Sequence, residues 1–119
     1  MPASILVVDD DSSIRRIVSE ILIMEEYEVV TAPNGAEALL AVERERPALV
    51  LLDMRMPVLD GWGFVQGLKD RDIKVPILVM TAAQDTARWA AEVGAAGHLA
   101  KPFEMSELLS AVERLCRAG

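Results

Sequence analysis

The sequence has little of what secreted, membrane-spanning or nucleic-acid-binding chains depend on. Its 119 residues include a single cysteine, Cys116, which excludes an internal disulfide and suits a reducing compartment. No apolar run approaches the roughly 18 residues that span a membrane. The first four residues, 1–4, show neither the basic nor the apolar region of a secretory signal. We therefore expect a cytoplasmic protein with no membrane partner.

Basic side chains are also scarce. The 12 lysines and arginines are outnumbered by 19 acids, and the net charge is −7 at pH 7. Binding to a phosphate backbone needs the opposite sign, so we expect no nucleic acid as a partner of this domain alone. The hydrophobic share of 52% fits a compact core, and the length predicts a single domain over residues 1–119.

What the sequence does contain is a series of short aliphatic runs that end in polar residues. Leu49 to Leu52 lead directly into Asp53, and near-continuous apolar runs of this kind are typical of parallel strands covered on both faces. The other predicted strands, with the residues that follow them, are Ile5–Val8 before Asp9 and Asp10, Tyr27–Ala32, Ile77–Met80 before Thr81, and His98–Ala100 before Lys101.

Segments with helical spacing separate these strands. The predicted helices begin near Ser12–Ser13 (as an N-cap), Asn34, Trp62, Asp85 and Met105. Alternation of strands and helices predicts parallel units with right-handed crossovers. Five strands in this length fit an α/β fold: a flavodoxin-like, doubly wound parallel sheet of order 2-1-3-4-5, with helices on both faces.

In that order, four strand ends meet at one edge of the sheet and deliver polar side chains there: Asp9, Asp10, Asp53, Thr81 and Lys101. Crowded carboxylates raise one another's pKa values, and a divalent cation relieves the conflict. Oxygen ligands without histidine or cysteine favour Mg²⁺. A carboxylate nucleophile, Mg²⁺, an ammonium group and a hydroxyl group together indicate a phosphoryl-transfer site.

These motifs resemble the signature of the response-regulator receiver domain, the phosphoacceptor half of two-component signalling. The similarity runs from Ile5 to Arg117. It rests on four elements in order: Val8-Asp9-Asp10, Asp53-Met54-Arg55-Met56-Pro57 with Asp60-Gly61, Thr81-Ala82, and Lys101-Pro102-Phe103. The last of these also resembles the family's cis-proline turn.

The resemblance implies that Asp53 is phosphorylated by a kinase histidine and that Lys101 pairs with a phosphoryl oxygen. Asp10 would bind Mg²⁺ directly and Asp9 mainly through a water molecule. Asp53 and the backbone carbonyl of Arg55 would complete the protein ligands. Such a domain is not an enzyme in the usual sense, although it assists its own phosphorylation and slow dephosphorylation.

The resemblance also implies a switch. Thr81 would turn its hydroxyl towards the phosphoryl group and so shift a face built from the fourth helix, the fifth strand and the fifth helix. Trp89, His98 and Lys101 are candidates for that partner face. The implied partners are a sensor histidine kinase or phosphotransfer protein, a downstream target or a removed output domain, and a second copy bound through the same face.

Two features depart from the family pattern. His98 stands where a switching Tyr or Phe is usual; it is either a partly exposed histidine on an edge strand or a side chain that swings inward with Thr81 and adds pH sensitivity. The interval from Thr81 to Gly94 is shorter than usual. Trp89 within it is either packed or exposed as a partner patch. In this family, the side chains at the positions of Arg55 and Ala83 influence how water reaches the phosphoryl group. Because Ala83 can position no water and Arg55 could screen the phosphate, we expect slow self-dephosphorylation.

Two other functions remain open. Residues 7–13 also resemble the first motif of haloacid-dehalogenase-like phosphatases, in which the nucleophile would be Asp9 and Asp53 would have no role. A receiver-like interaction module that never takes phosphate is the third possibility. Labelling of Asp53→Asn and Asp9→Asn with a phosphoryl donor distinguishes the receiver domain from the phosphatase.

Overall fold

The computed structural model describes residues 3–82 and 84–118, so Ala83 and the expectation placed on it lie outside the described residues. Five strands alternate with five helices in this part of the chain. The elements are β1 Ser4–Val8, α1 Ser12–Met24, β2 Glu28–Ala32, α2 Gly35–Arg44, β3 Leu49–Asp53, α3 Gly61–Asp70, β4 Ile77–Ala82, α4 Thr86–Val93, β5 Gly97–Lys101 and α5 Met105–Ala118.

The strands form one parallel sheet in the order β2-β1-β3-β4-β5. The predicted flavodoxin-like fold is therefore confirmed. The register pairs Val8 with Leu52, Asp53 with Met80, and Thr81 with Ala100. The carboxyl ends of β1, β3, β4 and β5 consequently lie along the same edge. No helix among the described residues combines the length and the apolar character needed to cross a bilayer.

Two hydrophobic layers cover the sheet, one on each face. Alternate residues of the central strands point to opposite layers. One layer contains Leu52 of β3 with Phe64 of α3 and Trp89 of α4. The other contains Leu51 of β3 with residues of α1 and α5. Every residue of β3 is buried, and this two-sided packing fixes the position of Asp53 at the strand's end.

Side chains of the loops cap three of the helices. The N-cap of α1 is Asp11, whose carboxylate accepts hydrogen bonds from the backbone N–H groups of Ser13 (2.9 Å) and Ile14 (3.3 Å). The expected cap at Ser12–Ser13 is therefore wrong, because Ser12 already belongs to the helix and Asp11 is the acceptor that reaches the free amides. Asn34 caps α2 as predicted, and Asp60 caps α3.

Candidate functional site

Three acids meet where β1 and β3 end. Asp9 and Asp10 follow β1, Asp53 closes β3, and one carboxylate oxygen of each lies within 4.8 Å of the others. Asp9 is fully buried, Asp53 is 6% exposed, and Asp10 is exposed. The cluster thus has a buried floor and one side open to solvent. An all-oxygen set of three carboxylates fits Mg²⁺ better than softer metals.

Lys101, the last residue of β5, adds a positive charge to this cluster. Its Nζ lies 2.7 Å from Oδ2 of Asp9 and 3.5 Å from Oδ2 of Asp53. Burial by itself would lower the pKa of the lysine, but the hydrogen bond to Asp9 and the charges of both carboxylates outweigh it and raise the pKa. Lys101 therefore remains an ammonium group at neutral pH.

The Asp53 carboxyl group has a strongly perturbed acidity. Burial, the largest cause, raises its pKa from 3.8 to about 6, although Lys101 lowers it; the nearby charges of Asp9 and Asp10 also raise the pKa, and the backbone N–H of Arg55 lowers it. A carboxylate with this pKa is ionised at neutral pH and more basic than an ordinary aspartate. Both properties suit a nucleophile.

Backbone and side-chain donors hold the acids in place. The N–H of Asp11 donates to Oδ1 of Asp9 (2.9 Å), and the N–H of Arg55 donates to Oδ1 of Asp53 (3.3 Å). The guanidinium group of Arg15 donates to the backbone carbonyl of Asp9 at 2.6 Å. Arg15 was not among the predicted site residues. Its signal was a cation in the first turn of the helix that follows the acidic loop.

The two expected switch residues lie in different environments. Thr81 is 5% exposed and sits near the end of β4, at the edge that carries Asp53 and Lys101. His98 is exposed on β5, the edge strand, opposite Val79 of β4. The structure thus shows His98 in the exposed arrangement. Whether its side chain swings inward stays a prediction.

Trp89 is packed rather than presented to solvent. It is 4% exposed, so the interpretation of Trp89 as an exposed partner patch is wrong for this conformation. The ring of Trp62 meets it edge to face, with centroids 4.9 Å apart, and Nε1 of Trp62 donates to Glu92 (3.1 Å). The guanidinium group of Arg55 lies over the Trp89 ring, 5.1 Å from its centroid. Arg55 therefore touches both the Asp53 loop and α4.

Comparison with known proteins identifies the family. The sequence model of one protein family, the response regulator receiver domain, matches residues 5–113. The chain belongs to the response regulator receiver family. This receiver domain is a module of two-component signalling, and no comparison supports the phosphatase alternative.

Individual relatives support the same assignment. A probable transcriptional regulator ycf27 of Pyropia yezoensis is 44% identical over 115 residues, which cover 95% of this chain and 47% of that protein. Sporulation initiation phosphotransferase F of Bacillus subtilis is 40% identical over 116 residues, 96% of this chain and 94% of that protein. The chemotaxis protein CheY4 of Vibrio cholerae superposes with a TM-score of 0.85 at 37% identity, covering 97% of this chain and 99% of that one. The receiver thus spans about half the length of the first relative.

Proposed function

We propose that the chain is a single receiver domain that accepts a phosphoryl group on Asp53 from a histidine of a sensor kinase or phosphotransfer protein. The observation that carries the proposal is the grouping at one sheet edge. The Asp53 carboxylate lies beside two further acids and 3.5 Å from the ammonium group of Lys101. Asp53 has a fixed position on the central strand, and burial raises its pKa, which suits a nucleophile.

In the proposed reaction, a carboxylate oxygen of Asp53 attacks the phosphorus atom and forms an acyl phosphate. The bond from phosphorus to the imidazole nitrogen breaks, and the electron pair stays on that nitrogen. Lys101 neutralises a phosphoryl oxygen as the negative charge arrives. Water later attacks the phosphorus, the bond between phosphorus and the Asp53 oxygen breaks, and the carboxylate and inorganic phosphate are released. We expect this hydrolysis to be slow, which is why we class the domain as a phosphoacceptor and not an enzyme.

We further propose Mg²⁺ as the cofactor. Asp10 and Asp53 would hold it directly, Asp9 mainly through water, and the backbone carbonyl of Arg55 would complete the set. When bound, the cation neutralises charge on the phosphoryl oxygens. The support is the choice and placement of donors: three carboxylates, whose combined negative charge exceeds the single positive charge of Lys101.

The proposed output is a conformational shift that begins at Thr81. The Thr81 hydroxyl would hydrogen-bond the new phosphoryl group, because the residue sits at the same sheet edge. The shift would reach the face formed by α4, β5 and α5, where His98 is exposed. We propose that this face binds a protein partner, either a downstream target, an attached output domain or a second copy of the domain. One relative is spanned almost whole and another by half, so both settings occur among similar proteins.

Phosphoryl labelling tests the proposal. The protein is incubated with acetyl phosphate and Mg²⁺, and intact mass is measured for the parent, Asp53→Asn, Asp9→Asn and Asp70→Asn. The parent and Asp70→Asn, a change at an exposed acid of α3, should gain one phosphoryl group. Asp53→Asn should gain none, and a chelator should abolish labelling of the parent. Labelling of Asp53→Asn at the parental rate, with loss in Asp9→Asn, would instead favour the phosphatase chemistry.

A further inference from the structure

Arg55 connects the site of phosphorylation to α4 in a way that the proposed chemistry does not use. Its backbone N–H donates a hydrogen bond to the Asp53 carboxylate, so its backbone is in direct contact with the proposed phosphoacceptor. Its side chain places the guanidinium group over Trp89. Trp89 belongs to α4 and packs in the hydrophobic layer against the sheet. One residue thus spans the distance between the nucleophile and a helix of the expected output face.

The guanidinium group of Arg55 is held only weakly where it lies. In the described part of the chain, the ion pairs involve other arginines and Lys101, and none includes Arg55. Arg55 is exposed, and its contact with the ring is a cation–π interaction, which is weak at solvent-accessible sites. A stronger anion within reach would therefore draw the side chain away.

We propose that Arg55 is a positioning residue with two resting places. Its guanidinium group lies on Trp89 while Asp53 is unphosphorylated, moves to the phosphoryl oxygens once Asp53 is phosphorylated, and thereby uncovers the Trp89 ring and loosens α4. The inference rests on the proposed phosphorylation of Asp53 and adds a second link to the one through Thr81.

The direction of movement follows from charge. Phosphorylation replaces a carboxylate by a group with greater negative charge and further acceptor oxygens. A guanidinium group binds such oxygens through paired, charge-assisted hydrogen bonds. The face of an indole ring offers only its quadrupole. Because the Arg55 backbone is already fixed next to Asp53, the change of partner needs side-chain rotation alone.

Arg88 is the natural comparison within the same cluster. Its guanidinium group lies 5.9 Å from the centroid of the Trp89 ring. Arg88, however, is on α4 itself and pairs with Asp85 at 3.0 Å. It therefore moves with the helix, and its ion pair is with an acid next to α4 rather than with Asp53. Removing its charge should leave the coupling intact.

The test uses Trp89 as a reporter in a Trp62→Phe background. The chain has two tryptophans, so this change leaves one indole while a ring still packs against it. The ¹⁵N–¹H resonance of the indole and its quenching by acrylamide are recorded before and after addition of Mg²⁺ with beryllofluoride, a phosphoryl mimic. We expect the resonance to shift and the quenching constant to rise when the mimic binds.

Variants of Arg55 separate coupling from packing. Arg55→Met removes the charge at similar length and keeps an apolar side chain against the ring, so the mimic should move the Trp89 resonance much less than it does in the parent. Arg55→Lys should restore most of the shift, and Arg88→Met should behave as the parent. Binding of the mimic is followed independently through the backbone amide of Thr81.

Each outcome decides the matter. A Thr81 signal that responds while the Trp89 shift is the same in the parent and in Arg55→Met would overturn the coupling but leave the proposed phosphorylation standing. No response at Thr81 or Trp89 in the parent would overturn both. A Trp89 shift abolished equally by Arg88→Met would show that the ring senses charge in general and would also refute the role of Arg55.

Discussion

Asp53→Asn should make this receiver domain more stable at neutral pH, even though it removes the proposed phosphoacceptor. The carboxylate is 6% exposed and ionised with difficulty, as its raised pKa shows. Asparagine has nearly the same shape and carries no charge, so the cost of burying a charge disappears. Lys101 keeps its hydrogen bond to Asp9 at 2.7 Å and is not left without a partner.

The magnitude follows from the pKa in the two states. The folded-state pKa of Asp53 is about 6 and the unfolded value is near 3.8. Between these values the folded protein retains a proton that the unfolded chain has released, so stability falls as the pH rises through this window and is constant above it. At ~1.4 kcal/mol per pH unit, the carboxylate costs about 3 kcal/mol at about pH 7.5 and about 1 kcal/mol at about pH 4.5.

Urea unfolding at the two pH values, without Mg²⁺, measures this difference. Asp53→Asn should exceed the parent in free energy of unfolding by about 3 kcal/mol at the higher pH and by about 1 kcal/mol at the lower. Asp70→Asn, at an exposed acid, should match the parent at both. An Asp53→Asn protein that is no more stable than the parent near neutrality, or a gain that is the same at both pH values, would refute the reasoning.

Three further predictions concern the metal, one loop and one close packing contact. Saturating Mg²⁺ should raise the parent's free energy of unfolding, by ~2.7 kcal/mol at a hundred times its Kd, and Asp10→Asn should lose most of this gain in the same urea titration. Val58 has φ 69° and is 81% exposed, so Val58→Asn should stabilise the domain by about 1 kcal/mol, measured by thermal unfolding, since asparagine tolerates this conformation. A Cβ on Gly35 would lie 2.6 Å from the backbone oxygen of Leu59, and Gly35→Ala should cost about 1–3 kcal/mol by urea unfolding; an unchanged value would show that the loop yields.

The fold was predictable because short runs typical of strands alternate along the sequence with segments of helical period. Each aliphatic run is short, is bounded by turn residues and is followed by a helical period, so type and order of the elements follow together. β3 illustrates this, since the run Leu49–Leu52 predicted a strand buried on both faces, and every residue of β3 is buried. The boundary at Asp11 was harder, because Asp and Ser are both good N-caps and only the backbone path decides which side chain reaches the free amides.

The grouping of the site residues was predictable for a similar reason. Parallel strands in a known order bring their ends together, which places Asp9, Asp53 and Lys101 at one edge whatever their neighbours are. The directions of the side chains that lie beyond the strand ends could not be predicted from the sequence. Arg15 lies close to Asp9 in the sequence, but only the path of the loop between them decides that its side chain turns back to the carbonyl of Asp9. Arg55 turns towards α4 because it contacts Trp89, which belongs to a segment far away in the sequence.

Stability and reactivity at this site have a common cause. Burial beside Asp9 raises the pKa of Asp53, which makes the ionised carboxylate costly and also more basic. The packing of the two hydrophobic layers around β3 offsets this loss of stability. Lys101 already compensates part of the charge, a bound cation would compensate more of it, and phosphorylation would add negative charge again. An electrostatic change at Asp53 would therefore act on the cations around it, and Arg55, whose guanidinium group contacts Trp89, is the one that would pass the change to α4.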